Sequence, residues 1–170
     1  MEIYFKSLKT KQIGKSLILQ ICQLKNLHWK FGLKKQLKWF KKNIKPEDLH
    51  NICFYNKKLI GYTALRKGYF FFHNDKRKKN YLLFETLILK KNTRGLKIGR
   101  LMMNFNNFII EKQKKPSFLI CTKKLIKLYT KFGWKKINNR DYKTLYKSFN
   151  CSAMTYKLNR ESKKKIYFNL

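Results

Sequence analysis

Residues 87–101 read LILKKNTRGLKIGRL, and the rest of the chain is best understood by working outward from them. The first three are apolar and end an extended run that begins at Tyr81, and a basic loop with Gly95 and Gly99 follows. From Ile98 onward the apolar residues recur at helical spacing, which predicts an amphipathic helix. A loop between a strand and a helix points backbone N–H groups and the positive end of the helix dipole at a bound phosphate. Two glycines four residues apart are equally typical of an ordinary tight turn.

The segments before this loop predict an alternation of strands and helices. Residues 2–8 alternate apolar and polar side chains as a strand does, and the spacing from Thr10 onward is helical. A second short helix is predicted over 33–43. Residues 50–55 and 59–66 then form two predicted strands of a hairpin.

The segments closer to the loop and after it continue this pattern. The lysine-rich residues 74–80 predict a solvated turn before the buried strand 81–89. Pro116 ends the helix that starts at Ile98, and residues 117–121 predict a short strand. The apolar face of the long helix is formed by Ile98, Leu101, Met102, Phe105, Phe108 and Ile109.

The C-terminal part predicts a short helix and a final pair of strands. An amphipathic turn over 125–132 is closed by Gly133 as its C-terminal cap. Residues 134–137 and 153–158 predict strands on either side of a polar insert. We expect a single domain over residues 1–160 and a peripheral tail over residues 161–170.

Composition and charge set limits on function. The chain has 170 residues, with 42 Lys and Arg against 8 Asp and Glu, and hence a formal charge of +34. Its 44% hydrophobic content is enough for a folded core. The skew towards Lys and Asn, with no Val, is typical of A/T-rich codons, so the charge alone does not indicate a polyanionic partner. It does predict salt-dependent, nonspecific attraction to polyanions.

The remaining composition argues against a membrane span, a targeting segment or a metal site. Lysines interrupt every apolar run before it reaches the roughly 20 residues that a membrane helix needs. The four cysteines and three histidines are scattered without metal-ligand spacing. These observations predict a soluble cytoplasmic protein with free, buried thiols.

The glycine loop resembles motif A of the GNAT family of N-acetyltransferases. Arg94 and Gly99 stand at the first and last positions of that motif, and Gly95 and Ile98 match its frequent RGxGIG form. Lys97 stands where the middle glycine is usual, and its side chain adds a positive charge.

Two further segments strengthen the resemblance. Residues 128–134, LYTKFGW, are similar to the LYxKxGF motif of the family, and Tyr129 follows Arg94 by 35 residues. Glu85, four residues before Leu89, matches the glutamate of the family's fourth strand. Specific motifs are confined to residues 82–134, whereas the order of elements agrees over most of the chain.

The resemblance implies an α+β fold, with one mixed, mostly antiparallel sheet flanked by helices and splayed between its fourth and fifth strands. It implies acetyl-CoA as the cosubstrate. The fourth strand would pair with the pantetheine arm through its main chain at Leu87 and Leu89. The loop from Arg94 to Arg100, including Lys97 and Ile98, would hold the pyrophosphate through its backbone N–H groups.

The resemblance also implies acetyl transfer to a primary amine of a small molecule, such as an amino sugar. Tyr129 would protonate the departing thiolate, a role compatible with that of a core aromatic. Glu85 would accept the amine proton, directly or through a water, although a strand carboxylate can equally pair with a surface cation.

Two alternatives remain open at this stage. One is a basic nucleic-acid-binding module, in which lysines contact phosphates and the 27 aromatic residues offer stacking surfaces. The scarcity of Arg, 6 residues, and the absence of a known recognition motif count against specific nucleic-acid binding. The other is a GNAT fold that binds CoA without catalysis. The oligomeric state and the acceptor are not specified by any motif.

Overall fold

The computed structural model describes residues 2–73, 75–93, 97–144, 151–159 and 165–170. Its helices are α1 (Lys15–His28), α2 (Leu33–Asn43), α3 (Ile98–Lys112) and α4 (Ile126–Thr130). Its strands are β1 (Ile3–Lys9), β2 (Leu49–Tyr55), β3 (Lys58–Phe72), β4 (Asp75–Leu89), β5 (Ser117–Thr122), β6 (Lys135–Ile137), β7 (Tyr142–Thr144), β8 (Cys151–Tyr156) and β9 (Ile166–Asn169).

Contacts between residues divide the chain into two compact units. The first comprises Met1–Arg66 and Glu85–Asn106, and the second comprises Lys67–Phe84 and Asn107–Leu170. The strands β3 and β4 and the helix α3 each contribute residues to both units.

The first unit combines antiparallel strands with two helices. β1 pairs antiparallel with β2, and β2 pairs antiparallel with the first part of β3. Apolar residues of α1 and α2, among them Ile21 and Phe40, form a core cluster with Ile52 and Tyr62 of the strands. These four residues are at most 4% exposed, because one side of each amphipathic element turns inward.

The second unit contains both parallel and antiparallel pairs. β5 and β6 each pair antiparallel with β8, and the end of β3 pairs antiparallel with β9. β7 lies parallel to β9. β4 pairs parallel with β5 through Leu82 with Ser117 and Leu83 with Phe118. The predicted α+β class with a mixed, mostly antiparallel sheet is therefore confirmed.

Several predicted elements are confirmed closely. α2 has the predicted bounds, and α3 begins at Ile98 as its apolar spacing indicates. Gly133 ends the α4 segment with φ of +81°, a left-handed conformation that suits glycine. None of the four cysteines forms a disulfide, and Cys22, Cys53 and Cys121 are buried, whereas Cys151 is half-buried.

Two expectations are wrong in part. Of the predicted turn at 74–80, residues 75–80 belong to β4, where exposed charged side chains are tolerated on a solvated strand. Within the predicted peripheral tail 161–170, Ile166–Asn169 forms β9, and Ile166 and Phe168 are buried against Phe70 and Phe118. The tail expectation overlooked the alternation of Ile166 and Phe168, which places both on the buried face of a strand.

Within the described residues no helix has the length and apolar character to cross a membrane.

The close packing of β9 against β3 predicts how a substitution at Gly68 changes the stability of the protein. A Cβ atom on Gly68 would clash with the Asn169 carbonyl oxygen and would lie 2.6 Å from the Tyr81 ring. We expect Gly68→Ala to lower the free energy of unfolding by about 1–3 kcal/mol in denaturant titration. Gly99→Ala is the matched control, because its Cβ would make an ordinary 3.5 Å contact with Leu89. In helix α3 that change should raise stability by up to about 1 kcal/mol. Equal effects of the two substitutions would contradict this packing.

Candidate active site

The end of β4 and the start of α3 share one apolar cluster in the first unit. Ile98 and Met102 of α3 are buried in it, and Leu87 and Leu89 of β4 pack against it as partly buried residues. The backbone N–H of Lys90 donates to the Ile60 carbonyl at 2.8 Å. Both ends of the loop predicted to hold a phosphate are thus anchored on the same core.

Lys97, directly before the first residue of α3, has an unusual backbone conformation. Its φ is +58°, in the left-handed region that glycine normally occupies. Its carbonyl accepts hydrogen bonds from the N–H groups of Arg100 at 3.0 Å and Leu101 at 3.3 Å. Lys97 therefore takes the backbone role of the glycine that is usual there and also carries an exposed cation.

The first turn of α3 offers hydrogen-bond donors. The N–H groups of Ile98 and Gly99 precede the first residues that an α-helix can bond internally. Gly99 is half-buried and Arg100 is exposed. This end of the helix can therefore present N–H groups and positive charge to an anion. Arg94 and Gly95, predicted for the same loop, lie outside the described residues.

Thr86 interrupts β4 beside the predicted base Glu85. Its φ is +62°, a conformation that a β-branched residue rarely adopts. Residues in such strained conformations concentrate at functional sites. The strain therefore marks the segment 85–89 as a candidate site independently of any motif.

Glu85 forms an ion pair with a buried arginine. The Nη1 group of Arg66 donates to Oε2 of Glu85 at 2.9 Å, and the Nη2 group of Arg66 donates to the Asn43 carbonyl at 2.7 Å. The Arg66 side chain is 5% exposed, and its Nε lies 4.0 Å from Oδ2 of Asp48. The Glu85 side chain keeps 27% exposure. Glu85 therefore has one carboxylate oxygen held by Arg66 and retains access to solvent.

A pocket of about 480 Å³ opens beside Glu85 and Thr86. Helix α1, helix α2 and the segment joining them complete its wall with Lys25, Trp29, Phe31, Lys35, Gln36 and Trp39. The Gln36 side chain is fixed because its Nε2 donates to the Trp29 carbonyl at 3.0 Å. The volume of the pocket lies in the range of small-molecule sites. These residues were not predicted from the sequence, since they are distant from β4 in the chain and follow no motif.

Lys25 is a buried cation in the wall of this pocket. It is 6% exposed, and its Nζ lies 3.7 Å from the centre of the Trp39 ring. Burial lowers the pKa of Lys25, and the charge of Glu85 partly opposes that shift. Among the described residues Nζ has no hydrogen-bond partner, and it lies over the negative face of the Trp39 ring.

Beneath α2, a buried histidine connects β2 and β3 with the short 3-10 helix Thr10–Gln12. The Nε2 atom of His50 lies 2.8 Å from Thr10 Oγ1, and its Nδ1 atom lies 2.8 Å from the Tyr62 hydroxyl. Burial lowers the pKa of His50 to about 4, and the charge of Lys25 acts in the same direction. His50 is therefore a neutral structural residue at physiological pH.

Tyr129, the predicted acid, belongs to the second unit. It is 5% exposed, and its ring makes an edge contact with Phe84 at a centroid distance of 5.9 Å and a tilted contact with Trp134 at 6.0 Å. Burial raises the pKa of Tyr129, so its hydroxyl stays protonated at neutral pH. The hydroxyl has no hydrogen-bond partner among the described residues.

The first unit brings together most of the described residues predicted from the sequence: Glu85, Leu87, Leu89, Lys97, Ile98, Gly99 and Arg100. Tyr129 is the one described member that belongs to the second unit. Within the described residues, no cluster of three or more His, Cys, Asp or Glu side chains could hold a metal ion.

Solved structures resemble this fold over nearly the whole chain. Escherichia coli ElaA matches with a TM-score of 0.68 and 16% identity, covering 92% of this chain and 100% of that one. An acyl-CoA N-acyltransferase from Pseudomonas aeruginosa matches with a TM-score of 0.69 and 12% identity, covering 91% and 99%. Arabidopsis thaliana Naa50, in complex with the bisubstrate analogue CoA-Ac-MVNAL, matches with a TM-score of 0.62 and 16% identity, covering 93% and 100%.

The comparisons establish the fold. The chain has the fold of the GNAT N-acetyltransferases, as its motifs indicate. No family model matches the sequence, and no curated protein does so either.

The strain at Thr86 can be measured directly. We expect Thr86→Gly to raise the free energy of unfolding by about 1 kcal/mol, because glycine adopts a positive φ without steric conflict. Thr155→Gly in β8 serves as the control, and it should be destabilising because Thr155 is buried in a regular strand. Chemical denaturation measures both effects. Destabilisation by Thr86→Gly as large as that by Thr155→Gly would contradict the strain.

The depressed pKa of His50 predicts a pH-dependent stability. As the pH falls below about 6.5, an unfolded histidine binds a proton that the folded His50 does not accept until about pH 4. The contribution of the neutral His50 to the free energy of unfolding is therefore complete above pH 6.5 and is lost progressively down to pH 4. Between pH 6 and 4.5 the unfolding free energy should fall about 1 kcal/mol per pH unit more steeply than in His50→Gln. Parallel plots of unfolding free energy against pH for the unsubstituted protein and His50→Gln would contradict the neutral, buried state of His50.

Proposed function

We propose that the protein is an acetyl-CoA-dependent N-acetyltransferase that transfers an acetyl group to a primary amine. The main support for the proposal is the left-handed Lys97 at the start of α3, a helix whose first N–H groups, those of Ile98 and Gly99, have no carbonyl partner within the helix. A GNAT fold with this feature suits a nucleotide thioester better than an unrelated phosphate ligand.

The cosubstrate would be held mainly by the backbone. The diphosphate of acetyl-CoA would accept hydrogen bonds from the first turn of α3, with Lys97 and Arg100 adding positive charge. Arg94 and Gly95 would complete this loop by their positions in the motif. The pantetheine arm would pair with the main chain of β4 at Leu87 and Leu89, in the manner of an added strand. The CoA analogue bound by Naa50 supports this assignment.

The acceptor would be a small molecule, of which an amino sugar is one example. The pocket next to Glu85 has the volume for such a ligand. Glu85 would bind the amine and accept its proton, directly or through a water, so that the nitrogen lone pair can attack the thioester carbonyl. Free, buried thiols agree with action in the reducing cytoplasm.

Tyr129 would complete the reaction. When the tetrahedral intermediate collapses, the C–S bond breaks and the CoA thiolate needs a proton. The Tyr129 hydroxyl, kept protonated by burial, would supply it. A general acid of this kind contributes about 10²- to 10⁴-fold to the rate.

Calorimetry with CoA tests the binding half of the proposal. We expect saturable CoA binding that survives moderate salt. Hydrogen bonds from the backbone, rather than attraction by surface charge, would provide most of the affinity. Gly99→Glu should weaken this binding by at least about tenfold through bulk and repulsion at the phosphates, whereas Gly99→Ala should change it little. Binding that disappears in salt, or equal affinity for CoA and unrelated polyanions, would favour the nucleic-acid-binding alternative.

Steady-state kinetics with acetyl-CoA test the catalytic half. Tyr129→Phe should lower kcat by about 10²-fold and leave acetyl-CoA affinity nearly unchanged, because only the proton donor is lost. Tyr142→Phe is the control, since Tyr142 is also buried in the second unit but has no assigned role. Unchanged turnover in Tyr129→Phe would remove this residue from the mechanism. No turnover in the unsubstituted protein, despite CoA binding, would favour a non-catalytic GNAT fold.

A further inference from the structure

The pocket beside Glu85 has an unusual combination of apolar and charged walls. Trp29, Phe31 and Trp39 supply three aromatic rings, and Phe31 is 65% exposed at the surface. Such rings favour a ligand with a flat or apolar body. A charged group that is buried in this wall is poorly solvated, so it is stabilised by a partner in the protein or in a ligand.

Lys25 is the buried cation in the wall of this pocket. It is 6% exposed and has no hydrogen-bond partner among the described residues, only the Trp39 ring at 3.7 Å. A cation–π contact compensates a buried ammonium group only in part. The carboxylate in the same wall, Glu85, already accepts a hydrogen bond from Arg66 at 2.9 Å. Lys25 therefore has the capacity to bind another negative group.

The balance of charge around the pocket is positive. Lys25, Lys35 and Arg66 stand against Glu85 and Asp48, which leaves one excess positive charge. An acceptor with only an ammonium group would add to this excess. An acceptor that also carries a negative group would neutralise it, with its amine at Glu85 and its anion at Lys25.

We propose that this pocket binds amines that also bear an anionic group, a carboxylate or a phosphate, and that Lys25 binds the anion. The proposal rests on the acetyltransferase function proposed above, since it names the class of acceptor for that reaction. It places the acceptor's amine next to Thr86, the residue that directly precedes Leu87 in the strand assigned to the pantetheine arm. Lys35, exposed at the same wall, adds a second positive charge.

Tryptophan fluorescence reads binding in this pocket without any catalysis. Trp29 and Trp39 line the pocket, whereas Trp134 is 1% exposed and belongs to the second unit. Titrations at fixed ionic strength compare two matched pairs of amines. Phenylalanine against phenylalaninamide tests a carboxylate, and glucosamine 6-phosphate against glucosamine tests a phosphate.

We expect one anionic member at least to bind about tenfold more tightly than its neutral counterpart, as a charge-assisted hydrogen bond provides. Lys25→Met should remove that preference, and Lys25→Arg should retain it. Lys38→Met is the control, because Lys38 is an exposed lysine of α2 that does not line this pocket. Thermal melts confirm that each variant is folded before titration.

Three results would overturn the proposal: equal or tighter binding of the neutral member in both pairs, a preference that survives Lys25→Met, or no binding of any of the four amines. The proposed acetyltransferase function is tested separately by acetyl transfer. Turnover with neutral amines and no anionic preference would overturn this inference and leave that function standing.

Discussion

The left-handed backbone of Lys97 is the constraint on which the account of the site depends. A residue with φ of +58° turns the chain into α3, and its carbonyl accepts the first hydrogen bonds of that helix. The N–H groups of Ile98 and Gly99 have no carbonyl partner within α3, so an anion at this end of the helix could accept hydrogen bonds from them. A lysine adopts this conformation at a steric cost that glycine would avoid, and it provides a cation at the same point. Backbone shape and charge are therefore combined in one residue.

A second interaction, the ion pair of Arg66 with Glu85, shapes the chemistry available beside the pocket. Arg66 is buried and also bonds the Asn43 carbonyl at the end of α2, so it fixes Glu85 relative to that helix. A carboxylate held in this way is well suited to bind and orient an amine. Glu85 of this ion pair and the strained Thr86 lie side by side in β4, next to the pocket.

Local patterns predicted most of the fold, because they are read from neighbouring residues. The bounds of α2 and the start of α3 follow from apolar spacing, and the cap at Gly133 follows from the need for a positive φ. β9 was missed because its four residues follow a charged stretch and pair with β3 and β7, which are distant in the chain. The alternation of Ile166 and Phe168 is too short a pattern to indicate this pairing by itself.

The candidate site was predictable only where it follows motifs. The residues of β4 and α3 were identified in this way, whereas the pocket was not, since its wall joins α1 and α2 to two residues of β4. Lys25 gives no sign of burial in the sequence, because lysines are usually solvated. The strain at Thr86 and the partner of Glu85 are likewise properties of the folded chain alone.

The central claim is that the main chain at the start of α3 binds the diphosphate of a CoA thioester. Backbone amide NMR during titration with CoA tests it most directly. We expect the largest chemical-shift changes at saturation at Lys97, Ile98 and Gly99, with further changes at Leu87 and Leu89. Changes confined to exposed lysine-rich segments, with the amides of α3 unaffected, would contradict it.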